Sequence, residues 1–294
     1  MPELERILHL LQDPAVSDVF IDSAEKTLIE KEGKLTSVES SFISDQDLNS
    51  WVKQLFIANG SRLDLVQPIS EISIDTSIGL LRVHAVLAGE CSSSTRVSIR
   101  RHGVKKLTLR DMELSHSITA DHAASLRALL TARHNFVIVG GTGSGKTTLL
   151  RAMLSEVCEE RVITIEENYE LELAGNAIAL KSRASNHEGV GAIDLEHLLR
   201  NALRMRPDRL VIGEARGSEL LLLLQSLNTG HSGAGFTLHS NSHRDALSRM
   251  LGILGMAGVS DSLSKTLISS SINAVIELDR NRNVVAIERL QLYV

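Results

Sequence analysis

The chain has 294 residues, enough for two ordinary domains. Hydrophobic residues at 43% and charged residues at 23% describe a globular composition and exclude a disordered or fibrous chain. A formal net charge of -5 and only 3% aromatics argue against a general nucleic-acid binder, which needs a basic groove and stacking platforms.

The opening stretch, MPELERILHLLQDP, is amphipathic and of mixed charge, unlike a secretory leader. No apolar run approaches the roughly 18 residues of a membrane span, and two cysteines, Cys91 and Cys158, cannot build a disulfide framework or a four-ligand zinc site. The expected location is cytoplasmic. Val16 to Ile21 and Thr27 to Glu30 read as strands, and Glu32-Gly33-Lys34 turns the chain into Leu35 to Val38. Ser44 is a helix N-cap; Leu48, Trp51, Val52, Leu55 and Phe56 then recur on one helical face until Gly60. Leu80 to Val86 and Arg96 to Ile99 complete a small α+β domain. Between Cys91 and Arg110 there is no acid, yet Arg96, Arg100, Arg101, Lys105 and Lys106 accumulate. That cluster reads either as a solvated strand edge and linker or as a cationic arm that touches phosphates.

After a helix over Asp121 to Arg133, strands alternate with helices. Phe136 to Val139, Val162 to Ile165, Leu210 to Ile212 and Gly235 to Leu238 are short apolar strands. A helix through Cys158 and helical stretches over Leu195 to Met205 and Glu219 to Leu227 separate them, which predicts a mainly parallel, doubly covered sheet. Ala274 to Leu278 and Val284 to Leu290 form a closing hairpin across Asp279 to Asn283.

Gly140-Gly141-Thr142-Gly143-Ser144-Gly145-Lys146-Thr147 fits G-x-x-x-x-G-K-[ST] between an apolar strand and an apolar helix. Such a loop turns successive N–H groups onto phosphate oxygens. Lys146 reaches the β- and γ-phosphates, and the Thr147 hydroxyl is placed for Mg²⁺, with Thr148 following on the helix. The ligand is therefore a nucleoside triphosphate with its metal. Leu210-Val-Ile-Gly213-Glu214 is an apolar strand ending in an acid, as a Walker B strand does, with Gly213-Glu214 replacing the usual aspartate; Glu214 would hold Mg²⁺ through water. Thr164-Ile-Glu166-Glu167 ends a second strand in acids, and a carboxylate at Glu166 could deprotonate the attacking water. His239 and His243 are four apart, but the residues between them read as a turn and no cysteine joins them, so zinc is not expected. A role beside the γ-phosphate fits His231 and His239 better.

These boxes, in this order, resemble the secretion ATPases of the type II and type IV superfamily. The likeness is to the VirB11/CpaF branch, including the TadA-type ATPases of tight-adherence (Flp) pili. Gly140 to Thr147 is similar to its Walker A, Thr164 to Leu171 to its acidic box, Leu210 to Glu214 to its atypical Walker B, and Thr229 to His239 to its histidine box. Ala202 to Asp208, Arg183 with Asn186-His-Glu188-Gly189, and Arg96 to Arg101 are similar as well. The resemblance implies an α/β subunit with a PAS-like α+β domain (1–102), a basic linker (103–116) and a RecA-like P-loop ATPase domain (117–294). It also implies a homohexameric ring that binds ATP and Mg²⁺ and drives an inner-membrane platform of a pilus or secretion apparatus, from the cytoplasmic face. Its nearest rival is a conjugation ATPase of the VirB11 type; a DNA translocase and a non-hydrolysing nucleotide-gated assembly factor are the others. In this setting Arg96 and Arg100, sharing one face of a strand, are the candidates to engage the phosphates, with Arg101 on the other face in reserve.

Overall fold

The computed structural model describes residues 2–31, 33–40, 42–89, 91–101, 107–183, 185 and 190–290. Part of the expected motif at Arg183, namely Asn186 to Gly189, and the basic pair Lys105 and Lys106 lie outside them. The chain forms two compact units, Met1–Lys105 and Lys106–Val294.

The first unit runs α1 (Pro2–Gln12), β1 (Val16–Ser23), β2 (Lys26–Lys31), β3 (Lys34–Val38), α2 (Asp45–Ala58), β4 (Ile69–Thr76), β5 (Gly79–Val86) and β6 (Arg96–Arg101). Its sheet has the order β3-β2-β1-β6-β5-β4, antiparallel throughout. Strict alternation puts Val19 and Ile21, Leu81 and Val83, and Val97 and Ile99 on one face. That face shares a core with Ile7 and Leu11 of α1 and with Leu48, Trp51, Val52, Leu55 and Phe56 of α2. Ser44 caps α2 by accepting from the Asp47 N–H. Strand β4 was not expected: its alternation is half polar, and Ile69 and Glu71 remain exposed.

On the opposite face of β6, Arg96 lies 3.5 Å from Asp22 and Arg100 lies 3.6 Å from Asp18. Arg101 corrects the expectation of a reserve phosphate ligand. Its guanidinium is turned into the fold, where it donates to the carbonyls of Leu11, Asp13 and Val16 and ties β6 to the end of α1. A side chain committed to three carbonyls is a brace.

The second unit opens with α3 (Leu109–Leu114) and α4 (Ala120–Thr131), then β7 (Phe136–Gly140), α5 (Lys146–Ser155), β8 (Val162–Glu166) and β9 (Ile178–Lys181). It continues with α6 (Leu195–Ala202), β10 (Arg209–Ile212), α7 (Glu219–Leu227), β11 (Gly235–His239), α8 (His243–Met256), α9 (Asp261–Ser271), β12 (Ala274–Leu278) and β13 (Val284–Arg289). The sheet order is β13-β12-β7-β11-β10-β8-β9, parallel except for β13. Val137 and Val139 pack in one core with α6, α7, α8 and α9, while Phe136 and Ile138 pack in another with α3, α4 and α5. This is the RecA-like arrangement expected. The segment 103–116 differs from a plain linker, because α3 sits inside it with a reciprocal Thr108/Asp111 capping box and with Leu109 and Met112 buried.

Arg101→Ala is expected to lower the unfolding free energy by about 2 kcal/mol, since it strands buried carbonyls. Arg96→Ala should stay within about 0.5 kcal/mol, because its pair with Asp22 is exposed, whereas Arg100→Ala should cost about 1 kcal/mol, because it leaves the buried Asp18 carboxylate without its cation. Urea titration of the three variants checks the contrast.

Candidate active site

Parallel pairing brings the carboxyl ends of β7, β11, β10 and β8 to one edge: Gly140 is level with His239, and Ile212 is level with Ile165. The phosphate loop rises there. Gly145, the N-cap of α5, has φ 90, a left-handed angle that glycine adopts without a Cβ clash. Gly140 has no room for a side chain, since a Cβ would lie 2.7 Å from the Leu278 carbonyl. Gly141, Thr142 and Gly143 are exposed, Ser144 is buried, and Thr147 and Thr148 are half-buried at the start of α5. Lys146 is folded inward and donates to the carbonyls of Gly140 at 2.8 Å and Gly141 at 2.9 Å. Burial lowers its ammonium below the ordinary lysine value, with Glu214 opposing.

Glu214 follows β10. One oxygen accepts from Arg216 at 2.6 Å; the other, Oε1, lies 3.2 Å from His239 Nε2 yet is buried with no aligned hydrogen-bond donor. Burial pushes this carboxyl up, but the Arg216 hydrogen bond and the neighbouring cations outweigh it and hold it below the usual range. Burial, with the charge of Lys146 adding to it, lowers the His239 imidazole below its ordinary value, so the ring is neutral at neutral pH. A cavity of about 480 Å³ opens beside Gly141 and His239, with Asp245 and Arg249 of α8 on its far wall.

Glu166 is placed differently from a solvent-facing base. It is 2% exposed; Oε1 accepts from the Thr164 hydroxyl at 2.8 Å, and Oε2 accepts from the N–H groups of Glu170 at 2.7 Å and Leu171 at 2.9 Å. Burial raises its carboxyl, which suits a proton acceptor, but the three donors occupy both oxygens. Its side chain crowds the strand end of β10: a Cβ at Gly213 would come within 3.2 Å of Glu166 Cγ, a tight contact that suits a glycine before Glu214.

His231 corrects another expectation. It precedes β11, at the end where Gly235 is level with Phe136, so it lies at the edge opposite the phosphate loop. Four residues of strand separate the two edges by roughly 13 Å. Its Nδ1 lies 3.3 Å from the Ser226 carbonyl, closing the loop after α7. Eight residues of sequence between two histidines do not reveal that a strand carries them to opposite edges.

Two contributors were missed from sequence. Arg216 bridges Glu214 and Glu167, and Glu219 accepts from the N–H groups of Arg216 at 2.6 Å and Gly217 at 2.7 Å, fixing the turn after Glu214. The only sequence cue was an arginine two residues after the Walker B acid. His243, set aside as a zinc ligand, begins α8 and places Nδ1 2.6 Å from Glu277 of β12.

The sequence profile of the family described as Type II/IV secretion system protein matches residues 3–284. The chain belongs to that family. A Mycobacterium tuberculosis relative, provisionally named a conjugal transfer protein, is 32% identical over 279 residues, covering 93% of this chain and 79% of its own. Conjugal transfer protein TrbB of Rhizobium radiobacter is 33% identical over 239 residues, covering 78% and 70%. Among solved structures, the Legionella pneumophila ATPase DotB aligns over 93% of this chain and 75% of its own, with a TM-score of 0.68 at 21% identity, a likeness of fold. With its phosphate loop and acidic strand ends, this member of the secretion family is an ATPase.

Glu166→Ala should cost about 2 kcal/mol of stability by leaving a hydroxyl and two N–H groups unpaired. Glu166→Gln, whose carbonyl can still take both N–H groups, should cost less than half of that in the same urea titration.

Proposed function

We propose that the chain works as a homohexameric motor that hydrolyses MgATP to drive a pilus or secretion machine at the inner membrane, from the cytoplasmic side. The observation that carries this reading is the meeting of Lys146, Glu214 and His239 at one sheet edge, in a chain that matches the family over nearly its whole length. No helix among the described residues is long and apolar enough to cross a membrane. The partners in this reading are inner-membrane platform proteins.

Mg²⁺ suits the donor set. It keeps several waters and takes few protein ligands beside the phosphates. Thr147 would supply a hydroxyl, and the buried, donor-free Oε1 of Glu214 is an acceptor for a metal-bound water. The metal would contribute neutralisation of charge on the phosphates. We assign the orientation of the attacking water to Glu214, because Glu166 has both oxygens engaged by its own turn. His239, neutral and half-exposed, is a hydrogen-bond partner for the γ-phosphate or the water. Lys146 exchanges its two loop carbonyls for β- and γ-phosphate oxygens.

In this reading Arg96 and Arg100 of β6 are the candidates for the remaining cations, on the same subunit or a neighbour: both guanidinium groups are exposed, Arg96 in an exposed pair with Asp22 and Arg100 beside the buried Asp18, and an arginine finger contributes ~10³ to 10⁵ in rate. Steady-state ATPase assays with nucleotide titrations test these assignments together. Lys146→Ala should abolish Mg²⁺-dependent turnover, and Glu214→Gln should keep nucleotide affinity while losing ~10² to 10⁴ in rate. The Arg96→Ala, Arg100→Ala double variant should bind but not hydrolyse. Full turnover in Glu214→Gln with loss in Glu166→Gln would return the water-orienting role to Glu166.

For the machine itself we favour a pilus of the tight-adherence type, on the similarity of Ala202 to Asp208 and of the boxes noted above. The names of the M. tuberculosis and R. radiobacter relatives favour a conjugal-transfer ATPase as the second reading. Deleting the gene should remove surface pili and leave plasmid mating intact; loss of mating with pili retained selects the second.

A further inference from the structure

The turn between β12 and β13 carries a feature that the nucleotide boxes do not include. β12 lies on the flank of β7 away from β11 and runs parallel to β7, with Glu277 level with Val139, so the turn emerges beside the phosphate loop. Contact there is close, since the Leu278 carbonyl leaves no space for a Cβ at Gly140. Asp279 locks the turn: its Oδ1 accepts from the N–H groups of Asn281 and Asn283, both at 2.8 Å. Within it, Arg282 has φ 68, a left-handed angle that costs a residue with a Cβ about 1 kcal/mol.

The Arg282 stem lies directly over the loop. A Cβ placed at Gly145 would be 3.7 Å from both Cβ and Cγ of Arg282 and 3.9 Å from Cδ. Its exposed guanidinium has no ion-pair or hydrogen-bond partner among the described residues. A strained, unpartnered arginine packed on a phosphate loop calls for a ligand. Which end of the ligand it meets follows from the sheet order. Glu214 and His239, the γ-phosphate groups, sit on β10 and β11, on one flank of β7; Arg282 sits on the other.

We propose that Arg282 holds the nucleoside end of the bound nucleotide, its planar guanidinium stacking on the purine base while its stem rests on Gly145. This rests on the phosphate-loop reading above. A delocalised, weakly hydrated cation suits that face, and the contact adds to the loop's grip without taking part in hydrolysis.

Calorimetric titration of the full chain with ATP and, separately, with inorganic tripolyphosphate tests it. If the wild type binds neither, the phosphate-loop reading fails and this proposal with it. If it binds both, Arg282→Ala should lose about tenfold in affinity for ATP and nothing for tripolyphosphate. Arg282→Gly, which suits the left-handed turn, should show the same split, so a folding defect cannot mimic it. Arg280→Ala removes an equal charge from the same exposed turn and should bind both ligands as the wild type does. Unchanged ATP affinity in the Arg282 variants, equal loss on both ligands, or an Arg280→Ala variant as weak as Arg282→Ala would each overturn it.

Discussion

The carboxyl edge of the second sheet is organised around a buried carboxylate. Glu166 takes the Thr164 hydroxyl and two backbone N–H groups, and this closes the loop after β8 into a fixed turn. Its stem fills the space beside β10, so a Cβ at position 213 would be a tight fit, 3.2 Å from Glu166 Cγ. Glu214 then comes under Arg216 and beside His239, and Glu219 fixes the turn that follows. One desolvated group therefore packs against the strand end that carries the next acid, which is partly exposed. The cost of burying a charge is offset in part by three hydrogen bonds to it, and burial still holds the carboxyl above its ordinary value.

The two units place charge differently around their sheets. In the second, Glu166 and Lys146 are buried and held by hydrogen bonds at the carboxyl edge. In the first, β6 presents Arg96 and Arg100 outward against Asp22 and the buried Asp18 of the neighbouring strand. Arg101, one residue on, has the opposite environment because strand alternation turns it to the core side. A run of arginines thus divides into an outward pair and a fixed brace, separated by the period of two.

Much of this was legible in the sequence because it is local. The strand–loop–helix around Lys146 follows from glycine spacing, and α2 from its apolar period and Ser44 cap. The sheet of the second unit follows from strands alternating with helices. The elements not read, α3, β4, β9, α8 and α9, are short or diluted in pattern: α3 has six residues, β9 leaves Ala179 exposed between half-buried neighbours, and α9 has few large apolar residues. What a sequence cannot carry is edge and direction. His231 belongs to the same sequence box as His239 yet lies across the sheet from it, and the Glu166 turn becomes visible only once Glu170 and Leu171 fold back. Arg282 escaped for the same reason, being distant in sequence from the loop it covers.

Lys146 already holds two acceptors, the carbonyls of Gly140 and Gly141. Nucleotide binding at this loop is therefore a ligand-substitution reaction: two short charge-assisted contacts are surrendered as phosphate contacts form. Part of what the new contacts contribute is offset by the two that are lost, so selection rests on fit as well as on charge. An anion that offers charge without the spacing of β- and γ-phosphate oxygens gains little over the carbonyls it displaces. Abundant simple anions such as chloride or monovalent carboxylates are thus poor competitors, and the loop stays free for the fuel.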